Sequence, residues 1–174
     1  MAGKKPHISH SQLDMYTRCG MQYWHRYIEG IKAPPSVAML VGSGTHEAIE
    51  ADLTEKMASG NLLLDEAVAD IASDTLKRCW DAEPPLLNEE EALDGEKKTK
   101  GEAVDRAVSL AVCHHRDLAP ELAPVAVERE WHVDVKGYPF ELMGFIDVQE
   151  QDSIRDTKTS KKSPAPACSF TRQR

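Results

Sequence analysis

The chain has 174 residues, 21 Lys+Arg against 29 Asp+Glu for a formal net charge of −8, and 41% hydrophobic residues. This is the balance of one soluble globular domain with a core of its own. No apolar run reaches the length of a membrane span, and residues 1–6 lead into His7-Ile-Ser-His rather than the apolar stretch of a signal peptide, so a cytoplasmic protein is expected.

The acidic balance argues against a protein that coats nucleic acid by bulk charge. It leaves room for an enzyme acting on phosphodiesters, because bound cations reverse the local field that a phosphate feels. Basic residues gather at Lys4, Lys5, Arg18, Arg26 and Lys32 and again at Lys158, Lys161, Lys162, Arg172 and Arg174, which makes both ends candidate contact surfaces for a nucleic-acid backbone.

In chain order, Ser9 or Ser11 is a suitable N-cap for a first helix carrying Leu13, Tyr16, Tyr23, Trp24 and Tyr27, divided at Gly20 and ended by Gly30. Its rings are expected to fill a core, with stacking on bases left to any ring that stays exposed. Pro34-Pro35 marks a connector. A second helix is expected from Val41 to about Met57, with Gly42 and Gly44 ahead of His46, Glu50 one turn beyond His46, and Ala48, Ile49 and Leu53 turned inward.

A third helix is expected over 62–80, with an apolar stripe of Leu63, Ala67, Ile71, Thr75 and Leu76. Residues 81–101, with Pro84-Pro85, Glu89-Glu90-Glu91 and Lys97-Lys98-Thr99-Lys100, have the composition of a flexible surface loop. A further helix over 102–118 carries Val104, Ala107, Val108 and Ala111. Cys19, Cys79, Cys113 and Cys168 form no Cys-x-x-Cys pair, so free thiols are expected, and Cys113-His114-His115 lacks the second cluster that a zinc site needs.

Beyond Pro124 the apolar period changes to two: 125–135, a turn at Lys136-Gly137, then 138–148 leading into a hairpin over 144–158. Helices followed by strands indicate an α+β domain. On the last strand Asp156 and Lys158 point to one face. Should the register bring Asp147 alongside, two carboxylates and an ammonium converge, a group suited to a hard divalent cation; otherwise the hairpin simply carries surface charges.

Four motifs occur in order: Ser9-x-Ser11-x-Leu13 with Tyr16 and Cys19, Gly42-x-Gly44-x-His46 with Glu50, Gly144-x-Ile146-Asp147, and Asp156-x-Lys158-Thr159. Together they resemble the RecB-like branch of the PD-(D/E)XK nuclease superfamily, which includes phage-type exonucleases and CRISPR-associated nucleases. The resemblance implies a restriction-endonuclease-like α+β core, with N-terminal helices packed on a mainly antiparallel C-terminal sheet. It implies a nuclease domain over 1–162 with a flexible insertion at 81–101, followed by an irregular tail over 163–174.

By the same resemblance, His46, Asp147 and Asp156 and the Thr157 carbonyl would hold Mg²⁺ or Mn²⁺, and Lys158 would position or help deprotonate the attacking water. Glu50, on the same helix face, would support His46 or simply face solvent. The implied activity is exonuclease-like hydrolysis of DNA in recombination, repair or phage DNA metabolism. An iron–sulfur cluster is not expected, since Cys19 has only Cys168 as a late companion. The family pattern continues past the lysine strand with a helix bearing Gln and Tyr, whereas 163–174 contains two prolines and no amphipathic period. A C-terminally shortened copy is therefore expected, completed by a partner chain or by self-association, or else persisting as an inactive remnant that binds DNA or protein.

Overall fold

The computed structural model describes residues 6–158; Thr159, Cys168, the terminal basic residues Lys4, Lys5, Lys161, Lys162, Arg172 and Arg174, and the tail expected over 163–174 lie outside them. The elements are β1 (His7–Ser9), α1 (His10–Arg18), α2 (Gly20–Tyr23) running into a π-helical turn (Trp24–Ile28), α3 (Val37–Ser59), α4 (Asp65–Ala82), α5 (Glu89–Asp94), α6 (Glu96–Asp117), a 3₁₀ turn (Ala119–Glu121), β2 (Ala126–Asp134), β3 (Glu141–Gln149) and β4 (Ile154–Arg155). The expected α+β class holds, although β1 was not among the expected strands.

α3 is the spine. The Ser36 hydroxyl accepts from the Met39 N–H and starts the helix at Val37, a turn before the expected Val41, so the glycines lie inside the helix. Gly44 earns its place by close approach: a Cβ there would lie 2.8 Å from the Ala72 carbonyl oxygen and 3.3 Å from Leu76 Cβ, so α3 and α4 cross nearly backbone to backbone. α6 meets both helices through Ala103, Ala107 and Ala111, all buried at four-residue spacing.

Around that crossing, Val37, Leu40 and Val41 pack with Leu76, Trp80 and Ala107, while Ala48 packs with Val68, Ala72 and Ala111. Ile49 and Leu53, turned inward as expected, join Ala119, Leu122 and the strand residue Val148. This last cluster fastens the helices to the sheet.

The segment expected as a flexible loop at 81–101 is instead largely helical. Asn88 and Glu91 form a reciprocal capping box that starts α5, and Gly95, at φ 84°, turns the chain directly into α6. The Thr99 hydroxyl donates to the Glu91 and Gly95 carbonyls, Trp80 Nε1 donates to Glu96 at 3.2 Å, and Lys100 pairs with Asp81. The basic run lies on α6, whose other face is packed, whereas α5 with its acidic run buries no residue and is held by its cap and by Thr99.

β3 is the central strand. β2 pairs with it antiparallel from Ala126↔Gln149 to Asp134↔Glu141 and so occupies one edge throughout. β1, parallel at His7↔Glu141 to Ser9↔Met143, and β4, antiparallel at Val148↔Arg155 and Gln149↔Ile154, therefore share the other edge end to end. After β4 the chain runs back along that edge toward the start of α1.

The aromatic residues of the first helical segment do not fill a core. Between His10 and Ile31 no residue is buried, and Tyr16 and Trp24 are 61% and 51% exposed. Instead the rings contact one another: Tyr16 meets Tyr23 edge-on at 5.4 Å between centroids, and Tyr23 meets Tyr27 at 5.1 Å. Cys19, in an extended conformation, rather than Gly20, separates α1 from α2.

Candidate metal centre

Val148 is buried against the α3 residues of the shared cluster, and this fixes its neighbour Asp147 where β3 passes under α3. His46 projects from α3 one turn before Ile49. Across the sheet, Val127↔Val148 and Arg129↔Ile146 keep one register, which sets Glu128 opposite Asp147, yet that single step is unpaired. Glu128 has φ 45°, a left-handed conformation that a side chain with a Cβ enters at a cost of about 1–3 kcal/mol.

The outcome is that His46, Glu128 and Asp147, all half-buried, each offer a ligand atom within 4.8 Å of the other two. His46 Nδ1 lies 3.8 Å from Glu128 Oε1. Burial, and next the charge of Asp147, push the Glu128 carboxyl above the usual glutamate range, with His46 opposing and Glu50 adding to the rise.

The sign follows: a carboxyl that binds its proton more tightly folded than unfolded stabilises the metal-free fold at low pH, and this contribution is lost as pH rises through its raised pKa. A cation can take the place of that proton. Two carboxylate oxygens and one imidazole nitrogen converging on a site with excess negative charge fit Mg²⁺ or Mn²⁺.

The Asp-x-Lys hairpin closes beside this group. The Thr157 N–H donates to Asp147 Oδ2 at 2.7 Å, tying the returning strand to the carboxylate. Lys158 Nζ donates to Asp156 Oδ1 at 2.7 Å, both side chains being exposed. That hydrogen bond holds the ammonium above the usual lysine range against the opposing effect of desolvation, with the charges of Asp156, Asp147 and Glu128 adding to the rise.

Of the residues expected at the site, His46 and Asp147 therefore converge, and Lys158 lies within their field. Asp156 stands outside the three-residue group and is paired with the lysine. Thr157 contributes its N–H to Asp147, and the exposed Glu50 acts through its charge on Glu128.

Glu128 is the member that sequence reasoning missed, being taken for a polar position in an alternating strand. A signal was present: Glu128-Arg129-Glu130 puts three charges in succession where period two allows one in alternate positions.

Glu150 sets the hairpin's geometry. It accepts from the Ala123 N–H (3.0 Å), Ser153 Oγ (2.8 Å) and Arg155 Nε (2.7 Å), and these bonds, the backbone one first, lower its pKa to about 2. A depressed carboxylate stabilises the fold above its unfolded pKa, and that stabilisation is lost as pH falls toward the folded value. Glu150→Gln keeps an acceptor for Ala123 but not the charge. Its thermal midpoint is expected to fall less than the wild type's between about pH 4.5 and about pH 2, as followed by circular dichroism.

Cys113-His114-His115 has a different role. His115 Nδ1 faces Asp52 Oδ2 at 2.8 Å and its Nε2 faces Asp65 Oδ1 at 3.1 Å, so both ring nitrogens are engaged within the fold. His114 is buried, its Nδ1 has no hydrogen-bond partner, and burial pushes its pKa down, keeping the ring neutral. Cys113 donates to Asp117.

An α+β core that gathers a helix histidine and two strand carboxylates next to an Asp-x-Lys hairpin has the architecture of restriction-endonuclease-like enzymes. The family model of the PD-(D/E)XK nuclease superfamily matches residues 7–171, and the chain belongs to that superfamily. No curated protein and no solved structure gives a significant match. Members of this superfamily use divalent metal ions, and among the described residues His46, Glu128 and Asp147 form a group that could hold one.

Proposed function

We propose that this chain is a metal-dependent DNA nuclease of the RecB-like type, exonuclease-like in action, serving recombination, repair or phage DNA metabolism, with residues 1–162 as its nuclease domain. The observation that supports this most is the meeting of His46, Glu128 and Asp147 in the field of Lys158. A bound Mg²⁺ or Mn²⁺ would supply Lewis acidity and a more acidic water.

The chain's own groups supply the rest. His46, Glu128 and Asp147 would hold the ion, with Asp156 as a further oxygen ligand in this reading. The Thr157 N–H orients Asp147, and its carbonyl is a further ligand in this reading. Lys158, held protonated, stabilises negative charge gathering on the phosphate and positions the attacking water.

Purified chain should degrade end-labelled linear DNA with Mg²⁺ or Mn²⁺ and not in EDTA. Lys158→Ala is expected to slow cleavage roughly 10²–10³-fold, the order lost with one preorganised charge-stabilising donor, while retaining the rise in melting temperature on adding metal. Cleavage that resists EDTA, or that is equal in the two proteins, sinks the reading.

A further inference from the structure

The helical segment from His10 to Ile28 is outside the machinery described above, yet it concentrates three of the chain's four tyrosines and one of its three tryptophans. None of its residues is buried. Tyr16, Tyr23 and Tyr27 form a continuous row, the Arg26 guanidinium lies 5.9 Å from the centre of the Tyr27 ring, and Trp24 is half exposed on the adjoining turn. Between His10 and Lys32 there are three Arg/Lys against two Asp/Glu, a local cationic excess in a chain whose net charge is −8.

We infer that this row is a stacking platform for unpaired bases, so that the preferred substrate of the proposed nuclease site is a single-stranded end. The inference rests on the nuclease reading for what happens to the strand, and on three observations for the platform itself. The first is chemistry: exposed rings with a guanidinium beside them, as Arg26 lies beside Tyr27, bind nucleotides by stacking and by attraction to the backbone.

The second is continuity with the site. β1 lies on the same edge of β3 as β4, Ser9 pairs with Met143, and α1 begins at the next residue. Asp156–Lys158 run back along that edge toward the same point, with Thr157 bonded to Asp147. A strand lying along α1 therefore leads onto the edge that carries Asp156 and Lys158.

The third is accessibility. In a duplex both faces of each base are covered by neighbours, so rings on a helix surface engage bases only where the strand is unpaired.

The test is fluorescence anisotropy of a labelled thymidine oligonucleotide about 20 nucleotides long and of a duplex of equal length, in EDTA so that nothing is cleaved. The full chain is compared with Tyr16→Ala/Trp24→Ala and with Tyr16→Phe/Trp24→Phe. Single-strand affinity is expected to fall roughly 10- to 100-fold in the alanine double variant and to stay within about 2-fold of wild type in the phenylalanine one, with duplex binding little changed in either.

Equal single-strand affinity in wild type and the alanine variant overturns the proposal, as does a wild type with no preference for single strands. So does a wild-type dimer, seen by sedimentation, that the alanine variant turns into monomer with DNA affinity intact, since the rings would then serve a second copy. Hydrolysis of bis(p-nitrophenyl) phosphate, too small to span site and rings, separates the two readings. Its absence with metal counts against the nuclease site, whereas its persistence with unaltered single-strand binding in the alanine variant counts against the platform alone.

Discussion

Asp147→Asn and Asp147→Ala are both expected to lose metal-dependent DNA cleavage by roughly 10³-fold, because each removes the charge that faces the cation across from Glu128. The two differ in what else they remove. Asparagine keeps an oxygen where the Thr157 N–H donates, so the tether of the Asp156–Lys158 strand survives; alanine cuts it. Asparagine also relieves the repulsion that, after burial, raises the Glu128 carboxyl. The metal-free Asn variant should thus melt no lower than wild type at neutral pH, while the Ala variant melts lower. In both, the rise in melting temperature on adding Mg²⁺ or Mn²⁺ should largely disappear. Single-turnover cleavage of labelled DNA with metal titration, paired with thermal melts, measures all of this. An Asn variant that cleaves like wild type would show that the carboxylate's charge is not what the site uses.

The same pair of strands shows what a sequence discloses and what it conceals. Asp147 and His46 stand in motifs with fixed neighbours, and the inward positions Ala48, Ile49 and Leu53 follow from helical period, so these were legible. Glu128 showed only as a break in the alternation of its strand, because its role depends on one left-handed residue there, a distortion that no local propensity encodes. Acidic and basic runs at 89–100 suggested solvation; the Asn88–Glu91 capping box and the small residues of α6 decided for helices. The rings of the first segment were expected inside because aromatic residues usually are. Whether they are covered is settled by what packs on them, and that lies beyond any local window.

The largest loss of stability is expected from a residue remote from the proposed chemistry. Asp52 is 1% exposed on α3 and accepts from the Leu63 N–H at 2.9 Å and faces His115 Nδ1 at 2.8 Å. His115 in turn reaches Asp65 in the first turn of α4, and Asp65, held below the usual aspartate range chiefly by Arg116, completes the chain of contacts. One carboxylate thus ties α3, the α3–α4 connection, the start of α4 and the end of α6. Asp52→Ala leaves His115 Nδ1 and the Leu63 N–H without their partner, while His115 Nε2 keeps Asp65, a change that costs about 1–3 kcal/mol for each group so stranded. At about 2–4 °C per kcal/mol for a chain of this size, the melting temperature should fall by on the order of 10 °C. Asp52→Asn, which keeps an acceptor for Leu63, should fall between. By contrast, Asp14→Ala removes an ion pair with Arg18 that lies in solvent, and should cost no more than about 1 kcal/mol. Urea and thermal unfolding of the three variants rank them directly. A cost for Asp52→Ala as small as that for Asp14→Ala would mean that the helices are held by their apolar contacts alone.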